Sequence, residues 1–344
     1  MIDEPPAITT IIPTFRRPAM LRRAIASALA QTFTALKVRV YDNAGDPQNA
    51  AVAAGFDDPR VEYLRHPQNL GAFANFQFGL SRVDTPFFSF LADDDILLPE
   101  FYATAMAALE AEPLAVFAAM RVVNVDNAGR LLAVDGAGWP PGTYRPPAGL
   151  LAMVDRGHIN WVGILFRREA LESVSALDPE TAPSFDLDFE LRLTAQCPFV
   201  VCDQPGALLV HHPDSTSGAT RLSDTWPAFL KIIHNATGAV TIPSAVRKQA
   251  QIGMERRLAG RLYWLGGVAA SQGRVGDADT AAALIVERYR WHRQAVVIRV
   301  AARVSAAVPP TRLAFRLALG AYRLVRSRQL RATLGTDYGD RLRG

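Results

Sequence analysis

The sequence predicts an α/β fold, with a mixed, mostly parallel sheet flanked by helices and an α-helical C-terminal region. Three observations carry that expectation. Up to about residue 113, β-rich segments alternate with segments of helical spacing, the rhythm of β-α-β units. The run FFSFLA (87–92) then stops at three consecutive aspartates, Asp93, Asp94 and Asp95, at the end of a strand where ligands of such sheets collect. From about Leu222 the signals are almost wholly helical and rich in Arg and Ala.

AITTIIPT (7–14) is β-rich and ends at Pro13-Thr14, and PAMLRRAIASALAQ (18–31) has helical spacing with Pro18 near its start, where its missing N–H costs nothing. LKVRVYDN (36–43) alternates as a strand, VEYLRH (61–66) is a short one, GAFANFQFGLSR (71–82) a helix, PFFSFLA (86–92) a strand, and PEFYATAMAALEAEP (99–113) a helix bounded by prolines. After residue 114 the pattern changes: a turn signal, Asp126-Asn127-Ala128-Gly129, separates two strand-like runs and predicts a hairpin. GAGWPPGTYRPPAG (136–149) reads as a mobile loop, NWVGILF (160–166) as a strand, and RREALESV (167–174) and FDLDFELRLTA (185–195) as helices, with strands at 198–204 and 206–212. A helix-loop-helix is expected around SQGRVGD (271–277), and a domain boundary near residue 220 divides an α/β unit (1–220) from a helical, Arg-rich region (221–344).

At 344 residues, 49% hydrophobic and 20% charged, the chain has the composition of a soluble globular protein. No run of about 18 apolar residues suggests a spanning helix, and the opening MIDEPPAITTII resembles neither a signal nor a transit peptide; the expectation is a cytoplasmic protein. Cys197 and Cys202 match neither a redox pair nor a zinc half-site. From Arg288 to Gly344 there are 13 Arg, no Lys and 2 Asp, a net +11 in a chain of +4, which leaves −7 for residues 1–287. That asymmetry points to a local anionic partner for the C-terminal region rather than to nucleic acid binding by the whole protein.

Carboxylates this close repel one another and resist burial unless something neutralises them. A hard divalent cation, Mg2+ or Mn2+, takes oxygen ligands and bridges carboxylates to substrate phosphates, so the triplet predicts a metal. Capping of the following helix is the plain alternative, but a cap needs one carboxylate.

PTFRRPAMLRRAIASALAQT, VYDNAGD, NLGAFANF, FFSFLADDDILLPE and FDLDFELRL together resemble, in order and spacing, the family 2 glycosyltransferases, inverting enzymes with the Rossmann-like GT-A fold. The likeness runs from about residue 8 to 217. It implies that Pro13, Thr14, Phe15 and Arg16 meet the nucleotide, with Arg16 standing where the family usually has Asn and a phosphate contact its only evident use. It puts Asp42 and Asn43 at the base, and Asn69, the Gly71 backbone and Asn75 near the nucleotide-sugar. A turn role for Asp42 stays open, as do cap and helix-face roles for Gly71 and Asn75. The metal motif is shifted by one against the commonest family form, which has Asp at the position of Ala92 and a small residue at Asp93. Asp94 is then the principal metal ligand, with Asp93 and Asp95 sharing the second coordination and the ribose or sugar hydroxyls. His212 falls where the family often has a histidine after the last strand of the domain; the diphosphate-metal site, the acceptor and a purely structural role all stay open for it.

The family's catalytic base, counted back six residues from Arg192, is Asp186; Phe185 replaces the acidic residue often beside it. Asp188, two residues on, cannot share its helical face. His158, Asn160 and Trp161 could floor an acceptor pocket or simply pack. The implied function is metal-dependent, inverting transfer of a monosaccharide from a nucleotide-diphosphate sugar to a hydroxyl of a glycan or lipid-linked acceptor. A sugar nucleotidyltransferase is the rival enzyme, although PTFRRPAM has no glycine for a phosphate loop; a non-catalytic glycan- or partner-binding protein on the same fold is the other. TRLAFRLALGAYRLVR (311–326) sets Arg312, Arg316, Arg323 and Arg326 on one helical stripe. It predicts either an anionic membrane surface as partner, at the inner face of the cell membrane, or packing on the acidic body or a second subunit.

Overall fold

A computed structural model describes residues 5–43, 45, 47–174, 176–212, 222–238, 242–312 and 338–342. The domain boundary expected near residue 220 and most of the Arg stripe of 311–326 lie outside the described residues.

Strands β1 (Ile8–Thr14), β2 (Leu36–Asp42), β3 (Val61–Arg65) and β4 (Phe87–Phe90) are joined by helices α1 (Pro18–Leu29), α2 (Pro47–Ala54) and α3 (Ala72–Ser81). They pair in parallel in the order β3-β2-β1-β4, with Thr14 opposite Asp42. The chain therefore winds outward from β1 to β3 and then returns to the other side of β1. A crevice must open between the carboxyl ends of β1 and β4, where those two directions part.

Beyond β4 the sheet becomes mixed. After β5 (Ile96–Leu97) and helix α4 (Phe101–Ala111), strand β6 (Phe117–Asp126) forms the expected hairpin with β7 (Leu131–Asp135). Strand β9 (Ile164–Arg167) inserts antiparallel between β4 and β6, and β10 (Phe199–His211) lies parallel to β6 on its far side. The two strands expected at 198–204 and 206–212 are one, irregular in register between Val201 and Ala207.

Two further expectations differ from the structure, and one helix was not expected at all. Residues 136–149 contain strand β8 (Gly142–Tyr144), antiparallel to β10, and the start of helix α5 (Ala148–Arg156). Trp139, only 2% exposed, and Tyr144 pack their rings on Phe199, so aromatic burial orders a segment whose Gly and Pro content suggested mobility. The NWVGILF strand begins only at Ile164, because Asn160 caps a 3-10 turn at Trp161–Gly163. Helix α2 had no expectation; its Ala-rich sequence makes few turns and lacks a strong apolar stripe.

Helices α6 (Glu169–Ser173) and α7 (Phe185–Thr194) complete the body. Helices α8 (Leu222–Gly238), α9 (Ser244–Ser271), α10 (Val275–Tyr289) and α11 (His292–Ala307) follow, with the expected turn between α9 and α10. The last three share a small core of Leu262, Ala269, Ala278, Ile285, Ala295, Ile298 and Ala302. A final short helix, α12 (Gly339–Leu342), returns to the body: Leu342 is buried beside Ile96 and Val123, and Arg23 donates to its carbonyl at 3.2 Å.

Candidate active site

At the crevice between β1 and β4, Thr14 donates to Asp93 Oδ2 at 2.6 Å, and the Phe15 amide lies 3.4 Å from the same oxygen. Arg17, which stands at the N-terminus of α1, divides one guanidinium nitrogen between Asp93 Oδ1 (3.1 Å) and Asp94 Oδ2 (3.0 Å). His212, just past β10, places Nε2 2.8 Å from that same Asp94 oxygen. One donor side chain, one guanidinium and one imidazole thus gather two of the three aspartates, and Arg17 was the residue that the sequence reading passed over in favour of Arg16. Its signal was available: the second Arg of FRRP sits one residue before the helix-starting proline, where a side chain can turn back over the strand end.

Asp94 is the aspartate left most accessible, while Asp93 is 4% exposed and Asp95 7%. Burial, reinforced by repulsion from Asp94, pushes the Asp93 carboxyl up to about 6 even though Thr14 and Arg17 oppose the shift. Asp95 is raised well above the ordinary range by burial and by its two neighbours. The expectation that Asp95 shares a metal meets a structural obstacle: it turns inward and accepts from the Val210 amide at 3.0 Å, fastening the triplet to β10. Among the described residues no three His, Cys, Asp or Glu side chains stand ready as a metal cage. Asp94 and His212 still set a carboxylate and an imidazole side by side, the carboxylate partly accessible and the imidazole buried, and both are donor types that a divalent cation takes.

Asp42 also faces inward. It is fully buried, and its carboxylate accepts from the Gly45 amide (2.8 Å), Asn49 (3.2 Å) and the Tyr63 hydroxyl (2.6 Å). A Cβ on Gly45 would stand 2.1 Å from Asp42 Oδ1, so only glycine closes this turn. The turn role left open for Asp42 is the one its contacts display. Asn43 occupies the neighbouring position, giving a hydrogen bond to Asn69 (2.8 Å) and accepting one from the Leu70 amide (2.7 Å). Asn69 accepts in turn from the Gly71 amide, and Gly71 takes φ +83° at the start of α3. Asn75 is 2% exposed and is spent on His66 (2.9 Å) and the Tyr41 carbonyl (2.9 Å); it braces this loop from beneath. Pro13 is buried in β1, whereas Phe15 and Arg16 stand exposed at the rim, with Arg16 at φ +55° and its guanidinium 5.0 Å from the Phe15 ring.

Asp186 lies in the first turn of α7, half-buried, with Oδ1 accepting from the Leu187 amide at 2.8 Å. Phe185 explains how that turn is placed: its ring packs on Phe73 (5.5 Å) and Phe76 (5.2 Å) of α3 and on Trp161 (5.9 Å). The residue that replaces the usual acidic neighbour is an aromatic anchor that ties α7 to the helix behind Gly71. Asp188 is fully buried and faces the other way, held by Arg192 (2.7 Å) and by Asn235 of α8 (2.9 Å). Asn235 also donates to Asp178 at 2.9 Å.

Trp161 is 4% exposed and stacks on Phe90 at 4.4 Å, with Phe76, Phe166, Phe185 and Phe189 around it. Its packing role is therefore the one realised, since no ring face is left for a sugar. His158 is exposed and Asn160 partly so; Asn160 accepts from the Val162 amide. Sequence reasoning missed Glu190, one turn beyond Asp186. It is fully buried, neither oxygen has a well-formed hydrogen bond among the described residues, and burial followed by repulsion from Asp186 raises its carboxyl far above the ordinary range, with the Ile159 amide and the Trp161 indole opposing the shift.

Comparison with known proteins bears on this geometry. Residues 9–175 match the family model described as Glycosyl transferase family 2. The chain is 34% identical over 104 residues to the GalNAc(5)-diNAcBac-PP-undecaprenol beta-1,3-glucosyltransferase of Campylobacter jejuni, covering 29% of this chain and 34% of that protein. It is 26% identical over 247 residues to the O-antigen biosynthesis protein RfbC of Myxococcus xanthus, covering 65% of this chain and 19% of that one. The matched part thus spans about a third and a fifth of those two relatives. Among solved structures, S. aureus TarS 1-349 in complex with UDP has a TM-score of 0.61 at 13% identity, over 88% of this chain and 91% of that one. At that identity the likeness is one of fold.

Proposed function

Residues 9–175 belong to glycosyl transferase family 2, and from that premise we propose that this sugar-transferring enzyme uses a nucleotide-diphosphate sugar and a divalent cation to glycosylate, with inversion, a hydroxyl of a lipid-linked or polysaccharide acceptor. The observation that carries the reading is the cluster of Thr14, Asp93, Arg17, Asp94 and His212 at the point where the sheet reverses its winding. Nucleotide ligands of open α/β sheets bind at that point. The names of the relatives support the acceptor class: a glucosyltransferase named for a PP-undecaprenol glycan, and an O-antigen biosynthesis protein.

Asp94 and His212 would hold Mg2+ or Mn2+, which when bound supplies charge stabilisation to the departing diphosphate. The chain's own contributions are distinct. Arg17 keeps Asp93 and Asp94 in place and adds positive charge beside the leaving group. The Asn43–Asn69–Gly71 bracket shapes the loop over which the nucleoside and sugar lie, and Phe15 with Arg16 forms its outer rim. Asp186, in the first turn of α7, takes the proton of the acceptor hydroxyl as that oxygen attacks the anomeric carbon; attack from the face opposite the diphosphate inverts the centre. His158 and Asn160, on the segment that follows α5, stand on the acceptor side.

A screen of nucleotides and nucleotide-sugars by thermal shift, with and without Mn2+, tests the reading, because a ligand that binds only the folded protein raises its melting temperature. One nucleotide-sugar series is expected to stabilise the protein in a Mn2+-dependent way and to be hydrolysed slowly to the nucleoside diphosphate. If no nucleotide-sugar shifts the melt under either condition, the proposal fails.

A further inference from the structure

Helix α11 turns an apolar face to solvent. Its Ala295, Ile298, Ala302 and Ser305 are buried against the neighbouring helices. At 100° per residue, Val296, Val300 and Val304 stand one above another on the opposite side, with Val297 beside them and Val308 just past the helix end. Their exposures are 57%, 55%, 40%, 56% and 48%. Solvent-facing helix positions ordinarily carry polar or charged side chains, and β-branched residues are weak helix formers. Five exposed valines on one face serve neither helix stability nor the core.

The charges around this face identify its occupant. Arg293 lies within the stripe and Arg290 at its N-terminal end; both are exposed and neither makes an ion pair among the described residues. Arg299 and Arg303 flank it and share Asp279. In sequence, no acidic residue occurs from Arg288 to Thr336. Two copies meeting through such a face would bring like charges together, whereas a layer of phosphates meets them with the opposite sign. No described helix is long and apolar enough to cross a bilayer, so the face suits a surface.

We propose that the valine face of α11 is a docking surface for an anionic lipid bilayer, with the valines at the acyl boundary and Arg290 and Arg293 at the headgroup phosphates. The proposal rests on the reading that the acceptor is lipid-linked, and it gives the enzyme a fixed side to present to that acceptor. It stands on residues other than the 311–326 stretch.

Flotation of the full-length protein with phosphatidylglycerol and with phosphatidylcholine vesicles tests it. Wild type is expected to float with the anionic vesicles at low salt and to lose most of that binding at high salt. V300D/V304D, at exposed positions, should melt like wild type yet bind at least tenfold less; V300Q/V304Q, which suits a helix better, is the second variant if the first folds poorly. R290Q/R293Q should bind several-fold less and respond less to salt. Three outcomes overturn the proposal: no flotation of wild type, undiminished flotation of the valine variants, or a wild-type dimer that these variants turn into monomers. Nucleotide-sugar binding, measured in parallel on the same variants, should be unchanged. Its absence from wild type would defeat the proposed function and leave the flotation result to be judged by itself.

Discussion

In the parallel half of the sheet, Thr14, Asp42 and Asp93 are fastened by neighbours on the adjoining strand or the next turn, whereas the helix bearing Asp186 is fastened from a distance. Thr14 reaches Asp93 across one strand spacing, and Asp42 closes on Gly45 three residues away. Asp186 depends on Phe185 reaching α3, and on Asp188 reaching Asn235 of α8, 47 residues later. A cluster built on strand ends comes with the sheet. The proposed base, on a separate helix, has to be placed by packing, and here α8 does part of the placing.

If the two halves have these separate duties, variants should divide cleanly. Asp94→Ala has the largest expected effect: loss of Mn2+-dependent nucleotide-sugar binding and of all measurable transfer, because the accessible carboxylate of the cluster is gone while Asp93 and Asp95 keep their protein partners. Equilibrium titration of the nucleotide-sugar with and without Mn2+ reads this directly, and unchanged metal dependence would remove Asp94 from the metal site. Asp186→Asn should slow transfer by roughly 10²–10⁴, the loss typical of a missing general base, with donor affinity nearly intact. An equal loss of donor binding would erase the distinction between the halves.

These two halves also differ in how far their residues could be read in advance. The rhythm from Ile8 to Ala111 and the triplet at 93–95 were legible, because strand alternation and a carboxylate run at a strand end are local patterns. The inward turn of Asp42 was not, since it depends on Tyr63 and Asn49 arriving from β3 and α2. Nor was the burial of Trp161: five phenylalanines from β4, β9, α3 and α7 close around it only after the whole body has folded. Glu190 was not singled out, and only the packing of α7 shows that it is buried.

Asp188→Ala sharpens the comparison through stability. It strips a buried, hydrogen-bonded partner from Arg192 and Asn235, a change that costs about 3–5 kcal/mol when one member of a buried pair is left behind. Chemical denaturation should show a loss of that order, with the α8 contact loosened. Asn235→Ala should cost less, about 1–3 kcal/mol, as the removal of a buried hydrogen-bonding group does. Donor binding by the folded fraction should survive both. If Asp188→Ala instead abolished nucleotide-sugar binding at temperatures where the protein is folded, the base half would not be the separate unit described.

Glu190→Gln carries the smallest expected effect and separates packing from charge at the base. The Glu190 carboxyl faces Asp186 on its own helix and, from the segment before β9, the Ile159 amide and the Trp161 indole. Burial, then repulsion from Asp186, raises its folded-state pKa well above the unfolded one, with the Ile159 and Trp161 groups pulling weakly the other way. For an acid raised in this way the folded protein holds the proton more tightly than the unfolded chain, so stability falls as pH rises from the ordinary Glu range toward neutrality. Gln has the same shape and no proton to lose; the variant should therefore show a flatter dependence of stability on pH between about 4 and 7 and be at least as stable as wild type at pH 7. Its transfer rate should change by less than about tenfold, because Asp186 keeps its position and loses only a neighbour that repels its charge when ionised. Denaturation midpoints at several pH values measure the first expectation, and a steeper or unchanged slope would show that Glu190 is ionised in the folded enzyme and balanced by a group other than those named.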